Sequence, residues 1–119
     1  MAKLAISITN GKNDTDRATF GFMVANTALA SGQETVIFLN IDGAHLAKKG
    51  YADDIHEEGF LPLKELMDQF LENGGQIWVC GTCFKKRGYS PEELVKGITI
   101  VGSVKIVEFL ASGASSLTY

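Results

Sequence analysis

The stretch Lys3–Asn40, KLAISITNGKNDTDRATFGFMVANTALASGQETVIFLN, decides the fold. Its opening segment, Lys3 to Thr9, is rich in apolar and β-branched residues and runs into Asn10-Gly11, the pattern of a buried strand that ends in a loop. Asp14, Thr15 and Asp16 are N-cap candidates for a helix beginning after that loop. Phe20, Met23, Val24, Thr27 and Ala28 then recur at helical spacing until Ser31-Gly32 breaks the pattern. That spacing predicts an amphipathic helix of about four turns with those residues on its apolar face. Glu34 to Asn40 (ETVIFLN) is a second short apolar strand. Strand, helix, strand is a βαβ unit, and such units build parallel sheets covered on both faces.

Outward from this unit the alternation continues. Residues 41–50 (IDGAHLAKKG) read as a turn followed by a short helix, and residues 50–60 (GYADDIHEEGF) as a glycine-bounded surface loop. Pro62 suits the first position of a helix whose stripe Leu63, Leu66, Met67, Phe70 and Leu71 closes at Asn73-Gly74-Gly75. Gln76 to Cys80 (QIWVC) is the third strand. Ser90-Pro91-Glu92-Glu93 starts a short helix, with the serine as cap and both carboxylates in its positive first turn. Ile98 to Val101 is a fourth strand, Ser103 caps a helix through Ala111, and Ser115 to Tyr119 reads as a fifth strand. An α/β fold with a mostly parallel five-stranded sheet is expected. In the helix Val104 to Ala111, only Lys105 and Glu108, with Ser112 beyond, interrupt the apolar surface, which predicts that it lies in the core or packs on another subunit.

With 119 residues, 45% of them hydrophobic, the chain is expected to form one domain over residues 1–119 around a single core. The net charge of −3 and the pI near 5.3 provide no positive field to gather phosphates, so nucleic acid is not the expected partner. The N-terminal MAKLAISITNGKND holds too short an apolar run for a signal-peptide core or a membrane span, and a soluble cytoplasmic protein is expected.

Both cysteines, Cys80 and Cys83, lie in WVCGTCFKKRG, residues 78–88. In a chain without a secretory signal, such a CxxC reads as metal-binding or redox-active rather than as a structural staple. Ligands and reactive groups of parallel α/β sheets gather beyond the carboxyl ends of the strands, where Cys80 is expected. Gly81-Thr82 make a tight turn, and Thr82 to Arg87 can wind into a short helix whose first N–H groups, with Lys85, Lys86 or Arg87, stabilise a thiolate. The plainer reading is a pair of packed, inert thiols in an oligomeric ligand- or partner-binding module, with Lys85-Lys86-Arg87 a solvated face. Zinc would need His45 and His56, far upstream and without paired spacing; they read as surface residues, and no metal is expected. GxGxxG and GxxxxGK[ST] patterns are missing from NGKNDTD, and no cofactor is expected. WVCGTC is also similar to the WCGPC motif of thioredoxins, which makes a dithiol–disulfide oxidoreductase a competing reading. The only proline downstream, however, is Pro91 in a helix start, so the cis-proline loop of that family has no counterpart.

Over nearly its whole length the chain resembles the DsrE/DsrF-like family. The features that carry the resemblance are the opening strand and polar loop, the segment SGQETVIFLNIDGAHLAKKG, and GGQIWVCGTCFKKRGYSPEEL near the third strand. Most specific is a cysteine at the end of a strand followed by a basic residue and glycine, matched by Cys80, Arg87 and Gly88; the Asp42-Gly43 turn supports it. The resemblance implies a three-layer α/β/α sandwich assembled into trimers or hexamers. It also implies sulfur relay: Cys80 takes sulfane sulfur as a persulfide and passes it to a partner protein's thiol, without a metal or cofactor. Cys83 departs from relay subunits with a single thiol, and either attacks the Cys80 persulfide or carries the sulfur itself.

Overall fold

The computed structural model describes residues 2–119. Five strands, β1 (Lys3–Ile8), β2 (Glu34–Leu39), β3 (Gln76–Cys80), β4 (Ile98–Val101) and β5 (Ser115–Thr118), form one sheet in the order β4-β3-β2-β1-β5. All four pairings are parallel. Helices α1 (Thr15–Ala30), α2 (Leu63–Glu72), α3 (Gly81–Lys86) and α4 (Ser103–Ala111) connect them, with short 3₁₀ helices at Ile41–Ala47 and Pro91–Glu93.

The order of strands dictates where the helices go. From β1 to β4 the chain always steps in one direction, and right-handed crossovers then keep α1, α2 and α3 on the same face. The return from β4 to β5, beside β1, runs the other way and puts α4 on the opposite face. Two apolar clusters record this division. Ile6, Ile8, Ile37, Leu39, Ile77 and Val79 point toward α1 and α2, joined by Phe22, Phe70 and, from α3, Phe84. The alternate strand residues Ala5, Val36 and Trp78 point the other way, onto Phe109 of α4. Helices on both faces of a parallel sheet make the three-layer α/β/α arrangement that the resemblance implies.

Two local expectations change. Asp14 is the cap of α1, its carboxylate accepting from Arg17 N–H at 3.0 Å, but the buried face is Ala18, Phe22, Ala25 and Ala28. Phe20 and Met23, placed on the apolar face by spacing, are 39% and 36% exposed. Apolar residues surround this helix, so period alone does not select a face; the buried face sets Phe22 among small residues, Ala18, Gly21, Ala25 and Ala28, which let the helix axis approach closely. In α4 only Phe109 is buried, while Val104 and Val107 are 68% and 60% exposed. The helix therefore covers the second face with one edge and is not central in the core. Its cap is Gly102, with Ser103 the first helical residue.

Candidate functional site

The connections of β3 and β4 leave toward opposite faces, β3 into α3 and β4 into α4. In open parallel sheets such a divergence opens a crevice at the carboxyl ends of the two strands. Cys80, the last residue of β3, lies there, in register with Val101, the last residue of β4. Gly81 lets α3 begin against the neighbouring strand, because a Cβ at that position would stand 3.0 Å from Ile100 Cγ2.

Cys80 and Cys83 are both free thiols and both half-buried. Cys80 caps α3, its Sγ accepting from Cys83 N–H at 3.4 Å. One turn on, Cys83 Sγ accepts from Ile41 N–H at 3.3 Å. The two sulfurs thus sit in a directed chain of main-chain donors, from Ile41 through Cys83 to Cys80. Burial pushes the Cys80 thiol up, the Cys83 side chain adds to the rise, and the N–H groups of Cys83 and Thr82 pull against it. The net direction is opposite to the acidified thiol expected from the helix start and the basic cluster. Burial outweighs one exposed helical turn.

The basic cluster explains part of this. Lys85 and Lys86 are exposed, and Arg87 is bound to a carboxylate rather than to a sulfur. Its Nη2 and Nε donate to Asp42 Oδ1 at 2.9 and 3.3 Å, and Nη1 donates to the carbonyl of Cys83 at 3.1 Å. Its charge is therefore paired by a carboxylate. Gly81 and Thr82, expected to form a tight turn ahead of the helix, are instead its first residues: α3 begins directly after Cys80, with Arg87 as its C-cap.

The structure also brings together residues that lie far apart in the sequence. His45, expected at the surface, is half-buried on the first 3₁₀ helix, its Nδ1 2.7 Å from the Tyr89 hydroxyl and its ring stacked on Tyr51 at 5.0 Å between centroids. Its Nε2 lies 3.9 Å from Asp42 Oδ1. Burial, and then Arg87, hold its pKa below the ordinary histidine value against the pull of Asp42. Burial, and then the neighbouring Tyr51, push the Tyr89 phenol up, so the contact joins a protonated phenol to the imidazole. Tyr51 continues the cluster, accepting from Lys12 N–H at 2.8 Å. His56 stands apart, exposed and 2.8 Å from the Phe60 carbonyl. Among the described residues no group of three or more His, Cys, Asp or Glu side chains could hold a metal ion. A mainly apolar cleft of about 410 Å³, which neither cysteine lines, is bounded by Gly81, Phe84, Lys85, Tyr89, Ser90, Pro91 and Ile100.

The model of the DsrE/DsrF-like family matches residues 2–119. The chain belongs to the DsrE/DsrF-like family. Among its relatives, the Methanopyrus kandleri protein MK0008 is 33% identical over 107 residues, covering 90% of this chain and 85% of the relative. The Methanocaldococcus jannaschii protein MJ0760 is 33% identical over 109 residues; these cover 92% of this chain but 40% of that longer protein. The crystal structure of the ychN protein from E. coli superposes with a TM-score of 0.84 at 20% identity, covering all of both chains. At that identity the likeness speaks for the DsrE-type fold alone. No helix among the described residues is long and apolar enough to cross a membrane.

Proposed function

We propose that this DsrE/DsrF-like chain is a cytoplasmic sulfur carrier that accepts sulfane sulfur on Cys80 as a persulfide and relays it to the thiol of a partner protein. The observation that carries the reading is the Cys80–Cys83 turn: two free, half-buried thiols where the β3 and β4 connections part, linked by the 3.4 Å Cys83 N–H to Cys80 Sγ contact. Sulfur transfer asks for a nucleophilic sulfur that another protein thiol can reach, and for no metal. In the loading step the Cys80 thiolate attacks the outer sulfur of a donor persulfide. A new S–S bond forms at Cys80, the donor's S–S bond breaks, and the donor leaves as a thiolate, with no net oxidation. The partner's thiolate repeats the exchange in the second step.

Gly81 and Thr82 contribute the turn that presents main-chain donors to the sulfur. Lys85 and Lys86, exposed on α3, supply positive charge to an incoming anionic persulfide, while Arg87 acts through Asp42. The same reading includes a homo-oligomer, a trimer or hexamer, supported by the apolar outer face of α4 at Val104 and Val107.

The i,i+3 placement of the thiols favours a second reading, a dithiol–disulfide switch. There Cys83 attacks the Cys80 sulfur of the persulfide, hydrosulfide leaves, and the resulting disulfide needs an external thiol to reopen. Intact mass spectrometry after exposure to a sulfane-sulfur donor separates the two: an added sulfur supports the carrier, and loss of two hydrogens supports the switch.

A further inference from the structure

Ile41 is the one non-glycine residue among those described with a positive φ, +54°. A β-branched side chain is a genuine outlier there, because its Cβ crowds the carbonyl oxygens. Core packing gives no reason for the choice, since Ile41 is 53% exposed. The conformation is instead imposed from both sides. Before it, Asn40 N–H donates to the Ile8 carbonyl at 3.1 Å, and the Asn40 side chain donates to Ser7 Oγ and the Phe38 carbonyl at 2.9 and 3.1 Å. After it, Asp42 is gripped by Arg87, and Gly43 is pressed so closely on β1 that a Cβ would stand 1.9 Å from the Ile8 oxygen. Between these fixed points the Ile41 N–H points at Cys83 Sγ. Arg87 ties the other end of the arrangement, because the guanidinium that holds Asp42 also holds the carbonyl of Cys83.

We infer that Ile41 is a positioning residue for Cys83, its strained main chain held by the Asp42–Arg87 bridge so that its N–H stabilises negative charge on the Cys83 sulfur. This rests on the sulfur-carrier reading for its purpose: a Cys83 anion one turn from Cys80 is the nucleophile that takes the outer sulfur from the Cys80 persulfide. That exchange forms a Cys83 persulfide and returns Cys80 as a thiolate, with no net oxidation. The charged and titratable groups connected to Cys83 are Cys80 on β3 and Arg87 directly, Asp42 through Arg87, and beyond Asp42 His45 and its partner Tyr89.

The test is the pH profile of Cys83 alkylation in a Cys80→Ser background, with Asp42→Ala, Asp42→Asn and Ile41→Gly added singly. Loss of one well-placed hydrogen bond to the anion slows alkylation near neutral pH by about three- to tenfold in Asp42→Ala and moves the profile to higher pH. Asp42→Asn keeps an oxygen for Arg87 and restores at least the parental rate, and Ile41→Gly keeps the N–H and stays within about twofold of the parent. Removing a neighbouring negative charge would, by its field alone, move the profile the other way. An Asp42→Ala profile that matches the parent or moves to lower pH overturns the inference, as does an Asp42→Asn protein as slow as Asp42→Ala. No sulfur donor enters the experiment, so this failure leaves the sulfur-carrier reading standing.

Discussion

Arg87 closes on Asp42 with two nitrogens on one carboxylate oxygen, at 2.9 and 3.3 Å, and so joins the end of α3 to the start of the 3₁₀ helix after β2. The Arg87 side chain is 14% exposed and that of Asp42 43% exposed, so the pair is shielded on one side only. Truncation by Arg87→Ala is expected to destabilise the chain by about 1 kcal/mol, the range of a partly exposed charge-assisted pair, as measured by denaturant unfolding.

Replacing Ile41 should have the opposite sign. Glycine accepts a φ of +54° without strain, and Ile41 buries little surface. After subtraction of glycine's extra chain entropy, Ile41→Gly is expected to raise stability by about 1 kcal/mol, read from the shift in unfolding midpoint. A loss of similar size would show that the side chain packs more than its exposure indicates.

Gly43 leaves no room for any side chain. Its Cβ would stand 1.9 Å from the Ile8 carbonyl oxygen, which is main chain and cannot swing aside. Gly43→Ala is expected to cost about 3 kcal/mol or more and to disturb the Cys83 environment with it. Unfolding together with Cys83 alkylation in the same variant checks both.

The pH dependence of stability should carry a signature of His45. Burial and Arg87 lower its folded pKa, so between the folded value and the ordinary 6.5 the unfolded chain binds more protons. Stability is then full above 6.5 and falls as the pH drops toward the folded value. His45→Gln should flatten this part of the profile, and an unchanged slope would assign the acid sensitivity to other groups.

Cys80 should react as a raised thiol. In a Cys83→Ser background, where the main-chain donor remains, its alkylation near neutral pH is expected to be slower than that of a free cysteine, because burial leaves less thiolate. A rate above that of free cysteine would reinstate the activation by the basic cluster that the sequence suggests.

Much of this architecture is legible in the sequence because it rests on local signals. β-Branched runs bounded by glycine mark the strands; Asp14, the Ser90-Pro91-Glu92-Glu93 start and the Leu63 to Phe70 stripe mark helices. Sidedness is less legible. Phe20 and Met23 lie on an apolar helix whose buried face is chosen by the sheet beneath it, and the apolar surface of α4 fits either a core helix or a subunit contact until the strand order leaves it alone on the second face, which sets the core alternative aside. Within the site, the CxxC and its place at the end of a strand can be read directly. The partners of Arg87 and His45 cannot, since Asp42 is 45 residues from Arg87 and Tyr89 is 44 from His45. The Lys85-Lys86-Arg87 run suggests cations for a thiolate, whereas folding assigns Arg87 to a carboxylate that no spacing rule connects to it.

The most direct test of the sulfur-carrier reading is intact mass spectrometry of the reduced protein after exposure to a sulfane-sulfur donor, on wild type, Cys80→Ser and Cys83→Ser. The expected result is a gain of one sulfur in wild type that disappears in Cys80→Ser and persists in Cys83→Ser. No gain in any form, with wild type losing two hydrogens instead, would contradict sulfur carriage and make the Cys80–Cys83 turn a redox switch.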